Sequence, residues 1–184
     1  MKVLTDLGAE DFLRKHGFDV LETQLVKKES ELVKMKLDFP IAMKIASKTI
    51  VHKTLVHGIR LGIKNKEQAL KAFSDLMKIK GAEGVLVQKQ AFGEEFLVGL
   101  KKTPEFGYVV AFGKGGSKVE KMKKVDFRVC DVKGVEDLTK NKSLQQILFK
   151  LCKLSNYKIE SLDINPLIIE KGKPIIIDTQ IVFE

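Results

Sequence analysis

Apolar residues follow two rhythms along this chain, and the switches between them mark its elements. Leu7, Phe12 and Leu13 share one side of a helix predicted over residues 6–16, with Asp6 as N-cap and Gly17 as the stop. Phe18 to Val26 reads as a strand, and Glu29 to Leu37 as a weaker helix that Phe39-Pro40 breaks. Ile41 to Ala46 is a short, nearly continuous apolar run, the pattern of a strand buried on both faces. Ile59 to Ile63 alternates. Asn65-Lys-Glu-Gln68 then nearly matches a capping box and opens a helix carrying Ala69, Ala72, Phe73, Leu76 and Met77. After a loop from Gly81 to Gly84, strands are predicted at Val85–Gln90, Phe96–Leu100, Tyr108–Phe112 and Val125–Val129. Ser143 and Gln146 are placed to cap a helix with Leu144, Ile147, Leu148, Leu151 and Leu154 on one face. Strands outnumber helices and many follow one another directly, so the class is α+β.

The chain closes on two β-rich runs around Lys171-Gly172, a two-residue hairpin signal. That loop pairs Glu170 with Lys173, Ile168 with Ile175 and Asn165 with Asp178. Directly opposite residues point to the same face about 5 Å apart. Asp163, two residues before Asn165, shares that face. Three oxygen-bearing side chains on apolar strands suit a hard cation such as Mg²⁺; a solvated surface hairpin is the alternative. The argument depends on register, because a three-residue loop would send Asn165 and Asp178 to opposite faces. Pro166 and Pro174 lack N–H donors, so an edge or a bulge is expected here.

Composition narrows the class. Of 184 residues, 44% are hydrophobic and 31% charged, the balance of a globular chain. No apolar run is long enough for a bilayer, and the N-terminus lacks the apolar region of a signal peptide. Cys130 and Cys152 have no metal-ligand spacing and are expected to be ordinary thiols in a reducing cytoplasm. The net charge of +9 attracts polyanions, nucleic acid or nucleotide phosphates. With no Trp, two Tyr and lysines spread throughout, an interleaved aromatic–basic surface for nucleic acid is not visible.

Three further features carry possible chemistry. Lys44 lies inside the apolar run, where an ammonium must reach water or meet an anion. Phe112-Gly-Lys-Gly-Gly116 is either a backbone cradle for an anion or a plain turn. His52, between Val51 and Lys53, is a phosphoryl acceptor, a base or a satisfied core residue. His16 and His57 read as structural.

Together with Val51-His-Lys-Thr54, Gly58-Ile-Arg-Leu-Gly62, Gly84-Val-Leu-Val-Gln88, Glu95-Phe-Leu-Val-Gly99, Pro104-Glu-Phe-Gly107, Leu162-Asp-Ile-Asn-Pro-Leu167 and Ile177-Asp178, these segments resemble, in order, the ATP-grasp (β) subunit of NDP-forming acyl-CoA synthetases. The resemblance implies a single ATP-grasp domain over 1–184, with a smaller lobe at 18–84 and a larger one at 1–17 plus 85–184. Lys44 resembles the lysine that reaches the nucleotide phosphates. Val85, Leu86, Val87 and Gln88 resemble the interlobe strand beside adenine. Glu95, Gly113, Gly115 and Gly116 complete the expected nucleotide set. Asn165 and Asp178 match the Mg²⁺ ligands, and His52 the histidine that relays phosphate to ADP. An acid–thiol ligase is implied, active only with a CoA-binding α subunit. The family's Asp-Val-Gly-Gly after that histidine is here Leu55-Val-His-Gly58, its Asp-Ala-Arg is Asp178-Thr-Gln180, and the 131–162 segment is short. Those departures keep open a module that binds nucleotide or partner without turnover, and the charge keeps open a nucleic-acid-binding protein.

Overall fold

A computed structural model describes residues 1–50, 53–116 and 125–184. In chain order its elements begin with β1 (Lys2–Val3), α1 (Asp6–Lys15), β2 (Thr23–Val26), α2 (Glu29–Lys34), β3 (Ile41–Ala46), β4 (Ile59–Ile63) and α3 (Lys66–Met77). There follow β5 (Gly84–Lys89), β6 (Glu94–Thr103), β7 (Gly107–Lys114), β8 (Val125–Val129), α4 (Val132–Leu138) and α5 (Lys142–Lys153). A 3₁₀ turn at Leu154–Tyr157, then β9 (Ile159–Glu170), β10 (Lys173–Ile176) and β11 (Thr179–Phe183) complete the order. Among the described residues no helix is long and apolar enough to cross a membrane.

The chain divides into two compact units, Leu21–Gln90 and Met1–Val20 with Ala91–Glu184. The inserted unit is a four-stranded antiparallel sheet in the order β2-β5-β3-β4. Met43, Ile45, Val85 and Val87 point from one face of it onto Ala69, Ala72, Phe73 and Leu76 of α3, forming a core of its own. The sequence reading put the boundary at 84/85. In the structure β5 is the partner of both β2 and β3, so it belongs to the inserted unit. The strand expected from Phe18 is also shorter. Val20 makes only an isolated bridge to Ile176, and the ladder of β2 begins at Thr23.

The larger unit is a seven-stranded sheet, β1-β11-β9-β6-β7-β8, with β10 also on β9. Val98, Leu100, Val110, Leu162, Ile164 and Ile181 face Ala9 and Leu13 of α1 and Leu144, Leu148 and Leu151 of α5. Alternation sends Gly99, Ala111, Asp163 and Gln180 to the other face. The caps differ by a residue or two from expectation. Thr5, not Asp6, accepts from Gly8 N at 3.2 Å. Asn141, not Ser143, accepts from Ser143 N and Leu144 N. Asn65 caps α3 as read, while Gln68 reaches back to Lys64 N at 2.9 Å.

The cysteines correct a second expectation. Cys130, just past β8, and Cys152 on α5 form a disulfide, with Cα atoms 5.3 Å apart. A strand end and a helix face meet there within bridging distance, which spacing along the chain does not reveal.

Candidate functional site

The terminal hairpin keeps the register that its two-residue loop dictates. Lys171 and Gly172 both have positive φ, 51° and 81°, the requirement of a type I′ turn. Lys173 pairs with Glu170 and Ile175 with Ile168, and beyond the turn Thr179 pairs with Ile164 and Gln180 with Asp163. The interval between these ladders sets Asn165 opposite Asp178. Ile177 N–H donates to Pro166 O at 3.1 Å, but Pro166 has no N–H to return. Asn165 N–H donates instead to Asp178 O at 3.1 Å, and the strand breaks between β10 and β11 there. On its other side β9 carries Asn165 and Pro166 as a bulge, because Phe96 pairs with Leu167 and Val98 with Ile164. Asn165 and Asp178 are both half-buried.

Asp163, the third oxygen ligand expected, lies two pairs further along, between Gly99 and Gln180. The residue is exposed, yet its Oδ1 lies low over the sheet, 3.4 Å from where a Cβ on Gly99 would stand. Loss of solvent there lifts its carboxyl above the usual range, and Lys101 opposes the shift. Among the described residues no group of three His, Cys, Asp or Glu is gathered to hold a metal alone. Asn165 and Asp178 supply two hard oxygens, a set that fits Mg²⁺ when phosphates and water fill its remaining positions.

The glycine segment is committed differently from expectation. Gly113 lies inside the ladders, opposite Leu97 and Val125, and Gly115 N–H donates to Glu95 O at 2.8 Å. A Cβ on Gly115 would stand 2.7 Å from the Phe96 carbonyl carbon, so this glycine permits close backbone packing. Gly116 holds a φ of 96°, which favours glycine, and a Cβ there would meet the tip of the exposed Glu95 carboxylate.

In the inserted unit, Lys44 is 4% exposed and pairs with Leu86 on one side and Ile59 on the other. Lys44, Leu86 and Gln88 share the face of the sheet opposite α3. Gln88 is buried and accepts from Thr23 Oγ1 at 3.3 Å. Val85 and Val87 point into the core. Both edges of β5 are laddered along 85–88, so the backbone expected beside adenine is already paired there. Double pairing ends at Gln88; beyond it Lys89 pairs only with Ile41 on the β3 side, and Gln90 N–H donates to Pro40 O at 2.9 Å. Sequence reading missed this because it needs the strand order.

His52 lies outside the described residues. The turn after it closes with Gly58 N donating to Lys53 O at 2.7 Å and His57 N to Thr54 O at 3.1 Å. Lys53 is 8% exposed.

A family model for the ATP-grasp domain matches residues 1–136. The chain belongs to the ATP-grasp family. Among relatives of this ATP-grasp chain is the β subunit of acetate–CoA ligase [ADP-forming] I from Pyrococcus furiosus, 34% identical over 78% of the chain and 64% of the relative. Another is acetate–CoA ligase [ADP-forming] II from Archaeoglobus fulgidus, 30% identical over 98% of the chain and 30% of the relative. The chain thus spans less than two thirds of the length of either. Acetyl-coenzyme A synthetase 1 of Ca. Korarchaeum cryptofilum, in complex with coenzyme A, Ca-AMPCP and HgCl⁺, superposes with a TM-score of 0.89 at 27% identity, covering 100% of this chain and 94% of that one. The same protein with coenzyme A and Mg-AMPPCP, its phosphohistidine segment pointing towards the nucleotide-binding site, gives 0.79 at 26% identity, covering 100% and 93%.

Proposed function

We propose that this chain is the nucleotide-handling part of an NDP-forming acyl-CoA synthetase, moving a phosphoryl group between a phosphohistidine and ADP with Mg²⁺. The observation that carries the reading is the opposition of Asn165 and Asp178 at the strand break. A bound Mg²⁺ supplies charge neutralisation at the phosphate oxygens. Asn165 and Asp178 hold it, and Lys44 adds a positive charge toward the phosphates. Lys89 and Gln90, with the Leu86 and Gln88 side chains, take the base. Glu95 and Gly116 flank the glycine segment on the nucleotide side, with Gly113 and Gly115 fixing its backbone. His52 carries the phosphoryl group. Its N–P bond breaks as a terminal oxygen of ADP forms the new O–P bond, and the electron pair returns to the ring nitrogen. Coenzyme A and the acyl group are taken by a CoA-binding α component, as a separate subunit or as part of a longer chain.

One observation favours a second reading, binding without turnover. His57 holds a φ of 53° where the resembling family has glycine, and Leu55 stands 79% exposed in the turn after His52. The experiment is a thermal melt with and without Mg-ADP. At a hundredfold excess over Kd the ligand contributes about 2.7 kcal/mol, and Asp178→Ala is expected to remove the metal-dependent part of the shift. An undiminished shift in that variant takes the hairpin out of the site. With γ-labelled ATP and the α component, acid-labile label on His52 supports transfer, and binding without label supports the second reading.

A further inference from the structure

We infer that the Cys130–Cys152 pair is a thiol-sensitive staple that holds edge strand β8, and through it the glycine segment, in register. Among the described residues β8 is the last strand of its sheet and pairs only with β7. It contributes nothing to the buried core: Phe127 is 56% exposed and Val129 43%. α4 packs on its end, capped by Asp131, which accepts from Gly134 N at 2.6 Å. Cys152 sits on α5, next to the fully buried Leu151. The disulfide therefore ties an exposed edge strand of the larger unit to the helix that buries Leu144, Leu148 and Leu151. Its influence reaches the candidate site through the ladder, because Val125 of β8 is the partner of Gly113.

Both cysteines are half-buried against the core, so small thiols can reach them. The exchange balances with a low-molecular-weight disulfide as oxidant. One protein thiolate attacks it and expels one small thiol. The second attacks the mixed disulfide and expels another. Two protein thiols and one small disulfide become one protein disulfide and two small thiols, and an excess of small thiol reverses the change. In the reduced state β8 keeps its ladder to β7 and the packing of α4 on its end but loses its covalent tie to α5, and it opens locally. The consequence for nucleotide rests on the function proposed above.

The test compares the full chain, oxidised and reduced with a phosphine, and the Cys130→Ser variant. Thiol titration should count none before reduction and two after. Amide exchange of residues 109–113 and 125–129 should accelerate on reduction and be fast in Cys130→Ser under either condition. The melting temperature should fall by about 8 °C, from loss of the loop closed across a separation of 22 residues. Mg-ADP affinity should weaken about fivefold or more. Two titrating thiols in the air-oxidised chain, or unchanged exchange on reduction, overturns the staple. Faster exchange with equal Mg-ADP affinity overturns its link to nucleotide. No Mg-ADP binding in either state overturns the proposed function, and the exchange data still decide the staple.

Discussion

Asn165 owes its place to its neighbour's missing proton. Pro166 cannot return the hydrogen bond that Ile177 gives it, so the ladder shifts to Asn165 and opens opposite Asp178. This was legible in the sequence, because a two-residue turn ending in glycine permits one register and proline marks where it fails. The chemistry of the glycine segment was not legible. Three glycines near one another suit an anion cradle and a tight crossing equally well, and only the neighbouring strand decides between them. Gly115 lies against the Phe96 backbone. Gly115→Ala is accordingly expected to destabilise the chain by about 1–3 kcal/mol from crowding. Urea unfolding measures this; a change below about 0.5 kcal/mol means that the two strands part easily there.

Elements with a strong period were read correctly, and those fixed by distant partners were not. α5 presents Leu144, Ile147, Leu148 and Leu151 to the core as its spacing demands. α4 escaped notice because its seven residues include Gly134 and too few apolar positions to set a period. Short α2 depends on Glu31, whose carboxylate accepts from Lys27 N at 2.8 Å. That backbone bond, followed by others from Lys28 and nearby lysine charge, holds its pKa below the usual carboxylate range despite opposing desolvation. A lowered pKa means that the ionised group stabilises α2 above the ordinary carboxylate pKa. The contribution is lost as pH falls through the lowered value. Protection of the amides in residues 29–34, measured as the observed exchange rate against the intrinsic rate at each pH, should therefore fall on acidification, and Glu31→Gln should flatten that dependence. Equal pH profiles for the two proteins refute the assignment.

The whole chain is one unit interrupted by another. Thr23 of β2 pairs with Gln88 of β5, so the insert begins and ends on adjacent strands. It also has its own core beneath α3. Residues 21–90 expressed alone should give a cooperative thermal transition, with the modest stability of a small domain. A random-coil circular dichroism spectrum would show that the insert depends on its host. The sequence carried the α+β class and most strands. The point of division at Gln90 was hidden, since it depends on β5 joining β2 and β3 rather than its sequence successor β6.

That interruption also sets a timetable for synthesis. The insert is complete once Gln90 has left the ribosome, and it can fold there. The larger unit must wait. Its β6 lies between β7 and β9, and β9 emerges about 65 residues later, a delay of roughly 3 to 13 seconds at ordinary elongation rates. For that interval one edge of β6, with Phe96, Val98 and Leu100 along it, has no mate, and α1 and β1 wait longer still for β11. A nascent chain in this condition is a natural client for a holding chaperone. Translation speed through residues 104–158 governs how long the exposure lasts.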